Sequence, residues 1–78
     1  MVGHVKSVIS NKLFGFVRDD GGNEYFFHRE DFNGHWDDLV MDFEKGANKI
    51  IVEFEGRDTP KGKRASAVER LDHPNNGR

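Results

Sequence analysis

The feature that most constrains this chain is a pair of short aromatic segments separated by a glycine-rich turn. Residues 12–17 have the sequence KLFGFV and residues 25–28 have the sequence YFFH. Both are rich in aromatic and β-branched side chains, which is typical of strands. Between them lie residues 19–23, DDGGN, whose glycines, Asp and Asn favour a tight turn. The sequence therefore predicts a β-hairpin.

Both faces of this predicted hairpin are apolar. Because side chains alternate across a strand, Phe14 and Phe16 share one face, and Phe26 and His28 share one face of the partner strand. A domain with one core can bury only one of the two faces. The face that contains a glycine suits the concave side of a tightly curved sheet, and it consists of Gly15, Val17, Tyr25 and Phe27. We therefore expect Phe14, Phe16, Phe26 and His28 to point outward.

Exposed rings in such a cluster mark a binding surface. Lys6 and Lys12 flank the hairpin, and rings beside cationic side chains suit the stacking of unpaired bases while phosphates are held. The alternative is that the three phenylalanines are ordinary core residues and that His28 is an isolated surface histidine. Two apolar faces on one hairpin favour the binding interpretation.

Length and composition narrow the class of protein. With 78 residues the chain holds one domain, close to the lower limit for a self-sufficient core. It contains no cysteine, so neither a disulfide framework nor a thiolate metal site can stabilise it. No apolar run has the length that crosses a membrane, and residues 1–6 lack the apolar segment of a signal peptide. We expect a cytoplasmic domain over residues 1–71.

The charge balance argues against a protein that binds nucleic acids by electrostatics alone. The formal net charge is −2, whereas that mode of binding needs a generally basic surface. Six basic residues nevertheless fall beside the hairpin or in a late turn. They are Lys6, Lys12, Arg29, Lys61, Lys63 and Arg64. A mildly acidic protein with a local basic rim is expected to bind single strands through stacking, and duplexes poorly.

The rest of the chain predicts three more strands and a short helix. Residues 2–9, 49–55 and 64–71 have strand-like patterns, with Val5 and Ile9 on one face of the first and Ala65 and Ala67 on one face of the last. Residues 35–45 place Trp36, Leu39, Val40 and Phe43 at helical spacing. Phe32 is expected in the core, residues 58–62 in a turn, and residues 72–78 in a frayed tail.

Five short strands with a longer connection after the third predict an all-β fold. The architecture that fits is a small five-stranded antiparallel barrel of the OB type, with a short helical turn between strands three and four. An SH3-like barrel fits the strand count as well. Outward aromatic residues on strands two and three favour the OB type, whose strand-two and strand-three face binds oligonucleotides.

Other kinds of site find little support in the sequence. Trp36 has two open roles, because it could cap the core or stand at the edge of the aromatic face. The four histidines show no spacing typical of metal ligands. No glycine-rich phosphate loop and no nucleophile with a suitably spaced base is present. We therefore expect no metal, no cofactor and no enzymatic activity.

Three motifs resemble those of the cold-shock domain family. GHVK at 3–6 followed by KLFGFV at 12–17 resembles the opening of that domain, whose first RNA-binding motif is K-G-F-G-F-[IV]. YFFH at 25–28 is similar to the second motif, V-F-V-H-F. TPKGKRA at 59–65 followed by Val68 is similar to the ending G-P-x-A-x-x-V. The resemblance covers about residues 2–71.

This resemblance implies a role for particular residues. It implies base stacking by Phe14, Phe16, Phe26 and His28, with backbone or base-edge contacts from Lys6 and Lys12. Other positions that match the edge of the family's groove are Lys61 and Arg64, and Trp36 lies near a loop aromatic of the family. The implied partner is single-stranded RNA or DNA with little sequence preference, and the implied role is an RNA chaperone that affects transcription or translation.

The chain also departs from the family pattern. Where the family usually has W-F-N after the first Lys, this chain has Ser7, Val8 and Ile9, and Arg29 replaces a Phe. Each stacked base contributes roughly 1–3 kcal/mol, so losing one ring weakens binding about tenfold or more. The Arg29 guanidinium can compensate in part by stacking on a base. Leu13 replaces the first Gly of the motif. The competing hypothesis is a protein-interaction module that uses the same aromatic patch.

Overall fold

The computed structural model describes residues 1–46 and 50–71, so the tail predicted at 72–78 and the first residue of the predicted fourth strand lie outside it. The described residues fold into a small, mostly β structure with one short α-helix. Its elements are β1 (Val2–Ile9), β2 (Phe14–Asp19), β3 (Glu24–His28), β4 (Phe32–Asn33), α1 (Trp36–Glu44), β5 (Ile51–Thr59) and β6 (Gly62–Arg70). The all-β prediction with a helix after the third strand is confirmed.

The strands form one sheet in the order β3-β2-β1-β5-β6-β4. The sheet closes on itself because β3 also pairs with β6, through Phe26 and Arg64. The structure differs from the predicted five antiparallel strands in two respects. A two-residue strand, β4, is added, and β6 runs parallel to both β3 and β4. One parallel pair is unavoidable, since strand directions cannot alternate around a closed ring of five.

The predicted hairpin is present, and its glycine-containing face points inward. β2 and β3 pair in antiparallel register, with Gly15 opposite Phe27 and Val17 opposite Tyr25. Val17 and Phe27 are fully buried, and Tyr25 is nearly so. The alternation of strand side chains therefore directs the other face of both strands outward.

Trp36 lies in the core, which settles its two open roles. Only 8% of Trp36 is exposed, and its ring packs edge-on at centroid distances of 6.0 Å from Phe27 and 6.4 Å from Phe32. It begins α1 and shares the buried face of that helix with Leu39. The assignment of Trp36 to a nucleic-acid surface is corrected for this reason. Phe32 is buried as predicted.

Two irregular points in the strands overturn the simple alternation expected there. The β1–β2 register shifts between Val5 and Ser7, so Ile9 pairs with outward-facing Phe14 rather than sharing the buried face of Val5. In β6, Ala67 adopts φ 51°, and the register against β5 shifts beside it. Bulges of this kind insert an extra residue and bend the strand. Ala65 and Val68, three positions apart, are consequently both fully buried.

The helix α1 is short, with nine residues. It has Asp37 and Asp38 in its first turn, where acidic side chains interact favourably with the helix dipole, and it ends before Gly46, which has φ 80°. Within residues 1–46 and 50–71, no helix is long and apolar enough to span a membrane.

Candidate nucleic-acid interface

Four ring side chains form a continuous outward face on β2 and β3. Phe14 pairs with His28, and Phe16 pairs with Phe26, so all four point to the same side, and each is half-buried. The ring centroids of Phe14 and Phe26 are 5.2 Å apart, those of Phe14 and Phe16 are 5.9 Å apart, and those of Phe16 and Phe26 are 6.0 Å apart. These distances are typical of aromatic pairs in contact. We refer to these four residues as the aromatic surface.

Register extends this surface onto the neighbouring strands. On β1, Ser7 pairs with Phe16. On β6, Arg64 pairs with Phe26. One row across the sheet therefore runs Ser7, Phe16, Phe26, Arg64, with a small hydroxyl at one end and a guanidinium at the other.

A groove lies between the aromatic surface and the turn that joins β5 to β6. It has a volume of about 860 Å³ and is open to solvent, and its lining includes Phe16, Phe26, His28, Glu30 and residues 59–64. The hydroxyl of Thr59 holds the turn, since it donates to the Gly62 carbonyl at 2.7 Å and accepts from the Lys61 N–H at 3.2 Å. Lys61 and Arg64 are thereby placed on the wall of the groove.

His28 is held by the short 3₁₀ turn that follows it. Its Nδ1 accepts a hydrogen bond from the Glu30 N–H at 3.1 Å, and its own backbone N–H donates to Asp31 Oδ2 at 2.9 Å. Because Nδ1 acts as an acceptor here, the proton of the neutral ring lies on Nε2. This hydrogen bond favours one orientation of the His28 ring.

The six predicted cations divide into two groups of three. Lys6 is 2.6 Å from Glu24, Lys63 is 3.0 Å from Asp58 and Arg64 is 2.9 Å from Asp31. By contrast, three cations form no ion pair within residues 1–46 and 50–71 and have exposed side chains, namely Lys12, Arg29 and Lys61. Only the second group offers full positive charge to an anion.

Lys12 and Arg29 lie at the same end of the hairpin. Lys12 ends the 3₁₀ turn between β1 and β2, and the Arg29 N–H donates to the carbonyl of Leu13 at 2.8 Å. Lys61 lines the groove from the turn between β5 and β6. The unpaired cations therefore border the aromatic surface on two sides.

The ion pair of Lys6 also affects its partner, Glu24. A hydrogen bond from the Lys6 ammonium, reinforced by its charge, lowers the pKa of the Glu24 carboxyl, although desolvation acts against it. Glu24 precedes Phe26 and His28 on the outward face of β3, by strand alternation. A carboxylate held ionised at this edge reduces the charge that Lys6 presents to a phosphate.

Sequence reasoning missed Asp31 and the significance of Ser7. Asp31 lies three positions after His28, a spacing that is typical of residues capping a helical turn, and that signal was available. Its contact with Arg64 spans 33 positions, and no local pattern indicates such a pair. The place of Ser7 beside Phe16 depends on the β1 bulge, which the sequence pattern also does not show.

Comparison with models of protein families gave no match, and comparison with curated proteins gave none either. Within residues 1–46 and 50–71, no three His, Asp or Glu side chains are grouped so that they could hold a metal ion. Any functional assignment therefore depends on the aromatic surface and its surroundings.

Proposed function

We propose that this chain is a cold-shock-like OB domain that binds single-stranded RNA or DNA by stacking unpaired bases on the aromatic surface. The observation that carries the proposal is the contact between three outward-facing phenylalanine rings on β2 and β3. Three aromatic rings in contact on a solvent-facing sheet have no role in packing the core. They offer apolar ring surface on which an unpaired base can pack.

The strand order supports the OB assignment. The five longer strands pair in the order β3-β2-β1-β5-β6. The sheet closes because β3 also pairs with β6. OB domains bind oligonucleotides on the face of strands two and three and through the loops between strands one and two and between strands four and five. In this chain the equivalent loops contain Lys12 and Lys61, two of the unpaired cations.

The proposed ligand is single-stranded because stacking requires the face of a base. In a duplex the base faces are covered by neighbouring bases, and a protein of net charge −2 has little general attraction for a polyanion. Every base has a π-face, so stacking at roughly 1–3 kcal/mol per base gives affinity with little sequence preference.

The cellular role that follows is that of an RNA chaperone in the cytoplasm. A protein that binds only the unpaired state shifts the pairing equilibrium by mass action toward that state. Transcripts kept unpaired in this way become accessible to transcription or translation factors. No catalytic step is needed for this role.

The test is a fluorescence anisotropy titration of a labelled pyrimidine-rich single strand at low salt. Phe14→Leu with Phe26→Leu keeps apolar area but removes two π-faces, and Met41→Leu on the exposed face of α1 is the control. We expect saturable binding by the intact protein and the control, and about tenfold or greater loss in the double variant. We also expect weaker binding of the corresponding duplex.

Two results would contradict the proposal. Absence of saturable binding to any single strand at low salt would exclude nucleic acid as the ligand and would favour the protein-interaction hypothesis. Equal affinity of the double variant and the intact protein would show that bases bind elsewhere on the domain.

A further inference from the structure

We propose that Asp31 is a positioning residue that makes Arg64 a fifth stacking element of the aromatic surface rather than a ligand for phosphate. The inference rests on the proposed function, because it assigns a role to two residues within the same site. It concerns which part of a nucleotide, the base or the phosphate, meets the guanidinium.

The first step is the hydrogen bonding of Asp31. One carboxylate oxygen, Oδ2, accepts from Arg64 Nε at 3.1 Å, from Arg64 Nη2 at 2.9 Å and from the His28 N–H at 2.9 Å. The Asp31 side chain is only 14% exposed, whereas that of Arg64 is 43% exposed. A mostly buried carboxylate thus anchors a guanidinium that remains open to solvent, and it ties β6 to the end of β3.

The second step is the place where this anchor puts the guanidinium. Arg64 Cζ lies 5.6 Å from the centroid of the Phe26 ring, above its face. A guanidinium is planar and stacks on aromatic groups and on bases. Because two of its nitrogens are held by Asp31, it loses little freedom when a base packs against it. The row of Ser7, Phe16 and Phe26 therefore gains a flat group at its β6 end.

The third step is the charge that Arg64 presents. Its ion pair with Asp31 cancels much of the attraction for a phosphate, and a phosphate that approached Arg64 would meet the carboxylate 2.9 Å away. Lys61 lines the same groove without an ion pair among the described residues. The two cations are therefore suited to different parts of the ligand, Lys61 to phosphate and Arg64 to a base.

The dependence of affinity on salt separates these two roles. Each phosphate contact to a single strand contributes about −0.7 to the slope of log affinity against log salt, whereas stacking contributes nothing to that slope. The probe is a labelled single-stranded oligonucleotide of about ten nucleotides, within the usual site size of one OB domain. The variants are Arg64→Ala, Arg64→Lys, Lys61→Ala and Asp31→Asn, each checked for native circular dichroism.

We expect Arg64→Ala to lower affinity by about five- to tenfold at every salt concentration and to leave the slope unchanged. Arg64→Lys should be as weak as Arg64→Ala, because an ammonium lacks the planar face. Lys61→Ala should reduce the slope by about 0.7. Asp31→Asn should steepen the slope by about 0.7, since the freed Arg64 can then reach a phosphate.

The inference is overturned if Arg64→Ala reduces the slope as Lys61→Ala does, or if Arg64→Lys keeps full affinity. It is also overturned if Asp31→Asn changes neither the slope nor the affinity. Any of these results can occur while the intact protein binds the strand and the variant with Phe14 and Phe26 replaced does not. Failure of the proposed function differs, because the intact protein then does not bind the probe.

Discussion

Gly15 on β2 lies directly opposite Phe27 on β3, and the Phe27 ring occupies the space that a side chain at position 15 would need. A Cβ atom there would lie 3.0 Å from Phe27 Cε1 and 2.6 Å from the carbonyl oxygen of Ser7. This close approach of three strands buries the inward face of the hairpin. The phenylalanines that flank Gly15 on β2 point to the opposite, outward face because side chains alternate along a strand.

Gly15→Ala is therefore expected to destabilise the protein. Although alanine is usually preferred to glycine inside a strand, the overlap with a backbone carbonyl forces the strands apart, and overpacking of this kind costs about 1–3 kcal/mol. Gly21→Ala is the control, since its Cβ would have only ordinary contacts at 3.5 Å. Urea unfolding measures both. Equal stability of the two variants would show that the sheet relaxes around position 15 at no cost.

Leu13 adopts the left-handed backbone conformation, with φ 63° and ψ 36°, which glycine adopts without strain. This conformation costs a residue with a Cβ roughly 1–2 kcal/mol, and Leu13 is 37% exposed. We expect Leu13→Gly to be more stable than Leu13→Ala by about 1 kcal/mol in urea unfolding, because only glycine relieves the strain. The opposite order would mean that position 13 is not held at positive φ in solution.

Asp19 should make stability depend on pH in acid. The pKa of Asp19 lies below its usual value, chiefly because the carboxylate accepts a hydrogen bond from the backbone N–H of Asn23. Hydrogen bonds from the Asn23 side chain, the Tyr25 hydroxyl and the Gly21 N–H lower this pKa further, whereas desolvation raises it. The folded state then binds this proton less readily than the unfolded state. The stabilisation is complete above about pH 4 and is lost as pH falls through the folded-state pKa.

Asp19→Asn should consequently cost stability near neutral pH and less in acid. Thermal unfolding of the variant and the intact protein at pH 7 and in steps below pH 4 measures the difference between them. Asp20→Asn, in the same turn, is the control. A difference for Asp19→Asn that does not shrink in acid would contradict the role of the carboxylate.

Ser7→Trp should strengthen binding of single strands. Ser7 pairs with Phe16 on the outward side of the sheet, so an indole at this position extends the row of rings onto β1. One added stacked base contributes roughly 1–3 kcal/mol, which corresponds to a gain of about fivefold or more. Anisotropy titration against the same labelled strand measures the gain. Unchanged affinity, with the fold intact, would show that the bound strand does not cross β1.

The parts of the fold that could be predicted from the sequence are those with a local signal. The DDGGN turn, the two-faced hairpin and the helical spacing of Trp36 and Leu39 each lie within a few residues, and each is present in the structure. The same spacing already placed Trp36 with Leu39 on one helix face, so its core position follows from a pattern that was visible.

The parts that could not be predicted depend on distant residues. β5 continues as far as Thr59, and β6 begins at Gly62. Both strands extend through a polar stretch without alternating apolar residues, because the hydrogen bonds of this hairpin continue beyond its buried positions. The bulge at Ala67 and the parallel closure of β3 on β6 arise from curvature of the whole sheet. The same holds for the site, where Asp31 and Arg64 meet only after closure. Nucleic-acid binding itself stays a prediction.

The most direct measurement of the central claim is the aromatic ¹H–¹³C spectrum of the protein during titration with an unlabelled single-stranded oligonucleotide. A base stacked on a ring shifts the protons of that ring upfield. We predict upfield shifts for Phe14, Phe16 and Phe26, while the buried rings of Phe27 and Phe54 stay nearly unchanged. Saturable binding that leaves the three outward phenylalanines unshifted would contradict the account.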